Sequence, residues 1–213
     1  MPVTTSRRER TKAANRAAIL AAGRECFAAR GYDAVGVRDI VRGTDLASGT
    51  FYNYFPDKQA VFRALVEEFG AEARRRVRGA RRSASGAEDF LESGFRAFFE
   101  FIVADPVTFA FLRRNLSTIR ERFGDAVLPA GLGELEADLR EAIARGDLPA
   151  VDVGYLAHAM LAVALELGQE LAERRPPDVE GATAFVTALF SRGVGGLPRR
   201  YAATPCAPAF PSC

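Results

Sequence analysis

The sequence is poor in the residues that carry most enzyme chemistry. Its 213 residues include one histidine, three cysteines and no tryptophan. The histidine, His158, has no second histidine or nearby cysteine at metal-binding spacing, and no glycine-rich phosphate loop occurs. Because these residues and motifs are missing, the sequence contains no recognisable set of catalytic residues. We therefore expect a protein that is not an enzyme and that carries no metal and no cofactor.

Long apolar runs are also missing. No uninterrupted run approaches the roughly 18 residues of a membrane span. The start of the chain, residues 1–10, is polar and basic, so it does not predict a secretory signal. Three cysteines, two of them (Cys206 and Cys213) in a proline-rich tail, do not predict a disulfide framework. We expect a soluble, cytoplasmic protein with no membrane partner.

The net charge of +2 conceals an uneven distribution along the chain. Residues 1–82 carry 17 Lys+Arg against 9 Asp+Glu, whereas residues 83–213 carry 12 against 18. A basic front on an acidic body favours a polyanionic partner for the front. Charge alone leaves open the alternative that the distribution only serves solubility.

The fold class predicted from the sequence is all-α. No stretch alternates as a strand does, and glycine, proline and capping residues divide the chain into helices. Gly31 ends the first helix, Asp57 caps the fourth, and Asp105 precedes a proline that suits a first helical turn. Thr11 is the predicted cap of the first helix. The predicted helices are 11–30, 37–43, 47–54, 58–82, 87–103, 106–123, 132–145, 152–174 and 178–194.

The most informative segment, residues 36–55, predicts two short helices joined by a tight turn. Asp45 lies in the turn, where a left-handed residue is often needed. The apolar residues of the segment can pack against Phe27 and Phe62, which leaves a small polar face with two tyrosines. Such a face suits the major groove, because small residues permit close approach, hydroxyls bind phosphates and asparagine can address a base edge. The residues of this face are Ser48, Gly49, Thr50, Tyr52, Asn53 and Tyr54.

With these motifs the sequence resembles the TetR family of one-component transcriptional repressors over about residues 12–70. It departs from the family at Gly36 and Ala47, where hydroxyl residues usually cap helices, and at Asp45, where a turn glycine is usual. The matching residues are Ile19-Leu20, Phe27, Gly31-Tyr32, Val37-Arg38-Asp39-Ile40, Gly49-Thr50-Phe51-Tyr52-Asn53-Tyr54-Phe55, Lys58 and Val61-Phe62.

The resemblance implies an N-terminal DNA-binding domain, a linking fourth helix, an all-α effector domain and a homodimer. It places Ser48, Gly49 and Thr50 at base edges. Phosphate contacts are implied for Tyr52, Tyr54, Lys58 and Arg38. The domains expected are a flexible basic arm (1–11), a helix-turn-helix domain (12–72, with the motif at about 36–55), a ligand-binding and dimerisation domain (73–195) and a flexible tail (196–213). The arm either reaches DNA or is merely solvated.

The C-terminal half concentrates aromatic residues, since half of the 16 phenylalanines lie between residues 90 and 123. Most of them are expected to form core. In the family that this sequence resembles, the same helices line an effector pocket, and such pockets are mostly apolar. The candidate pocket residues are Phe98, Phe99, Phe109, Leu112, Arg113 and His158.

The last two helices carry more apolar surface than one core of this size can absorb. The excess predicts a twofold dimer interface, in which two helices from each subunit form a four-helix bundle. The alternative is that both helices pack only within one subunit. The candidate interface residues are Leu156, Met160, Val163, Leu167, Phe185 and Leu189.

Together these features predict a DNA-binding transcriptional regulator. We expect a repressor that binds a palindromic double-stranded operator as a homodimer and is released by a small-molecule effector. The alternative from another class is an all-α small-molecule-binding protein or enzyme whose basic front end binds a partner protein. A lesser alternative is an activator, or a constitutive DNA binder with a collapsed pocket.

Overall fold

The structure is a computed structural model that describes residues 7–123 and 128–192. Every regular element in these ranges is an α-helix, so the predicted all-α fold class is confirmed. The helices are α1 (Arg7–Arg30), α2 (Val37–Arg42), α3 (Ser48–Phe51), α4 (Lys58–Arg82), α5 (Ala87–Ala104), α6 (Pro106–Arg114), α7 (Leu116–Phe123), α8 (Leu128–Arg145), α9 (Val153–Glu173) and α10 (Val179–Arg192).

Three of the predicted helix signals act as expected. Gly31 ends α1 with a left-handed φ of +79°, and its N–H donates to the Phe27 carbonyl at 3.0 Å. Asp57 caps α4 by accepting from the Ala60 N–H at 2.8 Å. Asp105 caps α6 by accepting from the Thr108 N–H at 3.1 Å, with a proline in the first turn. Each aspartate satisfies a backbone donor that a helix start leaves free.

The first helix begins earlier than predicted, at Arg7. Thr11 is therefore not its cap: the Thr11 hydroxyl donates to the Arg7 carbonyl at 3.1 Å, within the helix. The prediction that residues 1–11 form a flexible arm is wrong for residues 7–11. Arginine and glutamate, which occupy four of these five positions, favour the helix there. Residues 1–6 lie outside the described residues.

The predicted helix 106–123 is two helices, because Asn115 separates α6 from α7. The side chain of Asn115 donates to the Phe111 carbonyl at 2.7 Å and so competes with the helical hydrogen-bond pattern. Its backbone N–H donates to the carbonyl three residues earlier, on Leu112. The sequence pattern did not reveal this break, since apolar residues continue at helical spacing on both sides.

The later helix boundaries differ by a few residues. Helix α8 starts at Leu128, four residues before the predicted start. Asp152 and Asp178 precede α9 and α10 and accept from the N–H groups of Tyr155 and Gly181 at 2.9 and 2.8 Å. The predicted end of the last helix at residue 194, and the tail 196–213 with both of its cysteines, lie outside the described residues.

One hydrophobic core joins the first four helices. Phe27, Phe51 and Phe62 are fully buried in it, and burial of each such ring contributes about 1.5–3 kcal/mol. Helices α1 and α4 cross closely at Gly23, where an added Cβ would lie 2.7 Å from Val61 Cγ1. The close crossing fixes the base on which α2 and α3 rest.

This first core extends beyond the boundary predicted near residue 72. Phe111 of α6 packs on Phe62 with ring centroids 5.2 Å apart, and Ile119 of α7 is buried in the same cluster. The N-terminal helices thus share apolar contacts with the helices that follow α5.

A second core lies among α5, α8, α9 and α10, with Phe95, Phe99, Leu139 and Met160 among its buried residues. Helix α4 has 25 residues and is about 37 Å long, so it reaches from the first core to the second. No helix within the described ranges is long and apolar enough to cross a membrane.

Candidate nucleic-acid interface and effector cavity

Helices α2 and α3 are two short helices joined by a tight turn. Ile40 of α2 and Phe51 of α3 are fully buried, and Phe55 is 5% exposed just beyond α3. The Phe51 and Phe55 rings lie 6.3 Å apart against the first core. This anchoring turns one face inward and leaves the opposite face of α3 to solvent.

The turn between the two helices is held by Thr44. Its hydroxyl donates to the Val41 carbonyl at 2.8 Å and accepts from the Leu46 N–H at 3.3 Å. No described residue other than glycine has a positive φ, so the expectation of a left-handed Asp45 is wrong. Because threonine satisfies the backbone groups of the turn, the usual turn glycine is not required at Asp45.

The weak cap at Gly36 has a local compensation. Its N–H donates to Asp39 Oδ2 at 2.8 Å, which is the reciprocal half of a capping box. This bond, followed by an ion pair to Arg30 at 3.3 Å, lowers the pKa of Asp39. Ala47 precedes α3 and provides no side-chain cap, because alanine has no side-chain group that can accept a hydrogen bond.

The predicted DNA-facing residues are brought together on one surface. Ser48, Gly49, Tyr52 and Asn53 are exposed, and Thr50 is half-buried. Tyr52 is 59% exposed, with its ring packed edge-on against Phe51. An added Cβ at Gly49 would meet nothing within 4 Å, so the fold itself does not require glycine there.

Tyr54 and Lys58 have internal partners that the sequence did not predict. The Tyr54 hydroxyl accepts from Asn15 Nδ2 at 3.0 Å, which ties α1 to the segment after α3. Lys58 Nζ donates to the carbonyls of Tyr32 and Val35, both at 2.8 Å, and lies 4.3 Å from the centroid of the Tyr32 ring. Two of its three N–H donors are thus already used to close the loop after α1.

Exposed cations flank this surface. Arg38 is exposed on α2, and Arg7, Arg8, Arg10 and Lys12 are exposed along the first turns of α1. Arg38 lies on the helix that precedes α3, and α1 is tied to the segment after α3 by the hydrogen bond between Asn15 and Tyr54. The arrangement suits a partner with a regular array of negative charge.

A cavity of about 200 Å³ lies in the C-terminal part, between α4, α5, α8, α9 and the α6–α7 region. Of the predicted pocket residues, Phe98 and Leu112 line it. Most of the other lining residues are also apolar. The chemistry of the walls favours an apolar ligand.

The structure does not bring the other four predicted pocket residues to this cavity. Phe99 is fully buried in the second core. Phe109 and Arg113 line a separate open groove beside α1, and Arg113 pairs with Glu166 at 3.1 Å. His158 is exposed on α9, with Nδ1 2.8 Å from the Gly154 carbonyl. Helical spacing identifies an apolar face, but it cannot tell which part of that face borders empty space.

Charged residues at the cavity are the ones that sequence reasoning missed. Arg74 of α4 lies 3.3 Å from Glu134 of α8, and Arg81 lies 3.6 Å from Asp138. The sequence analysis predicted no role at the cavity for either arginine. Arg74 and Arg81 are seven residues apart, which is two helical turns, so both side chains lie on the same face of α4. This spacing is the sequence signal that the two arginines contact the same neighbouring helix.

The predicted interface residues divide into two groups. Met160 is 1% exposed and lines the cavity, so its assignment to a dimer interface is wrong: it points into the subunit. The outer surface of α9 instead presents Tyr155, which is 80% exposed, together with Ala159 and Ala162. The remaining candidates are half-buried, and all but the last of them pack against the second core: Leu156, Val163, Leu167, Phe185 and Leu189.

Helix α2, the tight turn and α3 form a helix-turn-helix that rests on the first hydrophobic core. The exposed face of α3 is polar, and cationic side chains are exposed on α1 and α2. Residues 19–65 match the family model described as bacterial regulatory proteins, tetR family. The resemblance to the TetR family is thereby confirmed, and the N-terminal part of the chain is a helix-turn-helix domain of that family.

Solved structures share the fold over most of the chain. The fatty acid degradation regulator FadR from Bacillus halodurans is 21% identical, with 84% of this chain and 95% of that chain covered and a TM-score of 0.74. FadR from Bacillus subtilis, solved in complex with stearoyl-CoA, is 21% identical, with coverages of 84% and 98% and a TM-score of 0.73. The TetR family transcriptional regulator PfmR from Thermus thermophilus is 19% identical, with coverages of 83% and 98% and a TM-score of 0.68.

Proposed function

We propose that this protein is a transcriptional repressor that binds a palindromic DNA operator as a homodimer and leaves it when a small molecule enters the cavity. The observation that carries the proposal is the exposed face of α3. The fold buries Phe51 and Phe55 but leaves Ser48, Gly49 and Tyr52 to solvent. Small and hydroxyl-bearing residues on a rigid base suit close approach to a major groove.

The roles on DNA follow from this placement. Ser48, Gly49, Thr50 and Asn53 would lie nearest the base edges. Tyr52 and Arg38, both exposed, would bind phosphates from either side. Tyr54 and Lys58 would act chiefly by holding the module in shape, since their polar atoms already bond to Asn15 and to the loop after α1.

The first turns of α1 would add phosphate contacts. Arg7, Arg8, Arg10 and Lys12 are exposed on a helix, so their side chains project from a defined scaffold. Each phosphate that the protein neutralises contributes about −0.9 to the slope of log K against log salt concentration. A dimer with several such contacts would therefore bind DNA with steep salt dependence.

The homodimer would bring two α3 helices to successive major grooves, about 34–36 Å apart. We place the interface on α9 and α10, whose half-buried apolar residues continue into the exposed Tyr155, Ala159 and Ala162. Apolar surface of this kind on two neighbouring helices fits a four-helix bundle between two subunits.

The effector would act through helices shared by both parts of the chain. Helix α4 lines the cavity and begins beside the helix-turn-helix. Arg24 of α1 also pairs with Asp105, the cap of α6, at 2.8 Å. A ligand that binds one arrangement of these helices more tightly would shift the separation of the two α3 helices. The FadR–stearoyl-CoA complex supports an effector role for this fold.

The test is a gel shift with the DNA that flanks the protein's own gene, together with selection from fragmented genomic DNA. We expect specific, salt-sensitive retardation by the dimer. Thr50→Ala should change sequence preference, whereas Arg38→Ala should weaken binding to all sequences. A folded dimer that retains no specific fragment from either source would contradict the proposal.

The alternative is a small-molecule-binding protein whose basic front end binds a partner protein. Salt dependence separates the two, because release of condensed counterions predicts a steep loss of DNA affinity between about 50 and 200 mM salt. Binding to DNA that is unchanged across this range would favour the alternative.

A further inference from the structure

The cavity has one charged side in an otherwise apolar wall. Among the described residues that line it, all are apolar except five, and these five come from two helices. Three are arginines of α4 and two are carboxylates of α8, so the charged side carries one excess positive charge. These residues are Arg74, Arg78, Arg81, Glu134 and Asp138.

Two ion pairs join α4 to α8 on the charged side of the cavity. Arg74 and Arg81 are two helical turns apart, and Glu134 and Asp138 are one turn apart, so both pairs bridge the same two helix faces. Arg74 Nε lies 3.3 Å from Glu134 Oε1, whereas Arg81 Nη1 lies 3.6 Å from Asp138 Oδ2. The second pair is therefore longer than a hydrogen bond.

Arg81 is a buried cation with few partners. Its side chain is only 9% exposed, and its Nε has no hydrogen-bond partner in the described part of the chain. Burial lowers its pKa to about 10, with Asp138 acting in the opposite direction, so the guanidinium stays charged at neutral pH. A guanidinium carries five N–H donors, and leaving them unpaired in an apolar site is costly.

The neighbours of Arg81 hold its charged group at the cavity. Its guanidinium carbon lies 5.0 Å from the centroid of the Phe90 ring. On the other side it packs against Gly94, where an added Cβ would collide with Arg81 Nε. Glycine at this position of α5 thus makes the space that the guanidinium fills.

The cavity volume limits the ligand. A cavity of about 150 Å³ is known to hold one benzene molecule. On that scale the cavity of about 200 Å³ accommodates an apolar body of roughly eight to ten non-hydrogen atoms. A whole nucleotide cofactor is much larger than this and would have to extend outside.

We propose that the effector is a small amphiphile with an apolar body and one anionic head group, a carboxylate or a phosphate, which Arg81 binds in exchange for Asp138. This inference rests on the proposed function, because it assigns the chemistry of the same effector site. A guanidinium offers an anion two parallel N–H donors, which the long contact to Asp138 does not use. The exchange breaks one of the two α4–α8 ion pairs, and so links head-group binding to the helix that starts at the DNA-binding domain.

Calorimetry on the full chain with octanoate and octan-1-ol as probes tests the head group. The two ligands have the same alkyl chain, and only octanoate carries a charge. We expect octanoate to bind at least about tenfold more tightly, as for a hydrogen bond to a charged group. A comparison of octyl phosphate with octanoate shows which of the two head groups the site prefers. Tighter binding of either anion than of octan-1-ol supports the proposal. Equal binding of octanoate, octyl phosphate and octan-1-ol would overturn it.

Three variants test Arg81 itself. Arg81→Gln should lose at least about tenfold in octanoate affinity and leave octan-1-ol affinity unchanged. Arg82→Gln, a neighbouring exposed position that does not line the cavity, removes the same charge and should change neither. Asp138→Asn removes the competing anion and should tighten octanoate binding several-fold. It also serves as the decisive variant if Arg81→Gln does not fold, since weaker or unchanged octanoate binding to it contradicts the exchange.

A parallel assay of operator release separates this inference from the proposed function. If octanoate binds through Arg81 but no specific DNA is retained, the proposed function fails and the head-group assignment stands. If operator DNA is retained and octanoyl-CoA releases it while octanoate does not bind, the proposed function stands and the head-group assignment fails.

Discussion

The side-chain oxygen of Asn115 accepts a 2.6 Å hydrogen bond from the backbone N–H of Tyr32. The amide nitrogen of the same side chain donates to the carbonyls of Phe27 and Phe111 at 3.1 and 2.7 Å. Asn115 is only 1% exposed. One buried amide therefore satisfies backbone groups at the end of α1 and in α6, and ties the helix-turn-helix domain to the effector domain.

We expect Asn115→Ala to destabilise the protein by at least about 2 kcal/mol. The substitution removes the partner of the Tyr32 N–H and one hydrogen bond from each of the Phe27 and Phe111 carbonyls, of which Phe27 keeps the Gly31 N–H as a donor. A buried backbone group that loses its partner costs about 1–3 kcal/mol. Urea unfolding followed by circular dichroism measures the change. Ser117→Ala, at an exposed position of α7, is the matched control and should stay within about 0.5 kcal/mol of wild type. Equal stability of the two variants would show that the amide bonds do not hold the junction.

Gly49 and Gly79 provide a pair that separates folding from DNA binding. A Cβ at either position meets nothing within 4 Å, so alanine should be tolerated structurally at both. In the interior of α4, Gly79→Ala should raise the free energy of unfolding by up to about 1 kcal/mol. Only Gly49→Ala should weaken operator binding, because its methyl group would stand between α3 and the DNA. Fluorescence anisotropy measures the affinity, and thermal melts confirm that both variants are folded. Unchanged DNA affinity of Gly49→Ala would remove this face from the interface.

Tyr52 and Tyr54 should respond differently to loss of their hydroxyl groups. Tyr52 is 59% exposed, so Tyr52→Phe should leave stability unchanged and weaken binding to all DNA sequences by about 0.5–1.5 kcal/mol. Tyr54→Phe removes the acceptor for Asn15 and should lower the melting temperature as well. Melting curves and anisotropy titrations on the two variants separate these effects. If both variants lost DNA affinity only, the bond to Asn15 would have no structural role.

The cap of α6 should make stability depend on pH. Burial acts to raise the pKa of Asp105, but hydrogen bonds from Thr108 and the charge of Arg24 outweigh it, and the pKa lies below its ordinary value of 3.8. A carboxyl whose pKa is lower in the folded state stabilises it above the unfolded pKa, and loses that contribution as pH falls through the folded pKa. Asp105→Asn should therefore melt below wild type at pH 7, and the difference should shrink as pH falls below about 4.

Thermal melts between pH 7 and pH 2.5 measure this dependence. The control is Asp45→Asn at an exposed position in the helix-turn-helix turn, where we expect a melting temperature close to that of wild type. A constant difference between Asp105→Asn and wild type over the whole range would mean that the carboxylate charge is not what stabilises α6.

Local signals predicted most of the helices and the helix-turn-helix domain. Capping aspartates and helix-ending glycine act within a few residues, so Asp57, Asp105 and Gly31 could be assigned from their neighbours alone. The break between α6 and α7 was not predicted, because two of the partners of Asn115 lie more than 80 residues away, at the end of α1 and just beyond it. The partners of Lys58 are also distant in sequence, which is why its internal role was not foreseen.

By itself, the sequence determined the all-α class, the polar face around Gly49 and Tyr52, and the charge difference between the two parts of the chain. These properties depend on residue type and on spacing along one helix. Only the tertiary structure decided which apolar residues border the cavity, that Met160 points inward, and that Arg81 is a buried cation facing Asp138. Each of these depends on how helices far apart in sequence pack together, and periodicity along one helix contains no information about its neighbour.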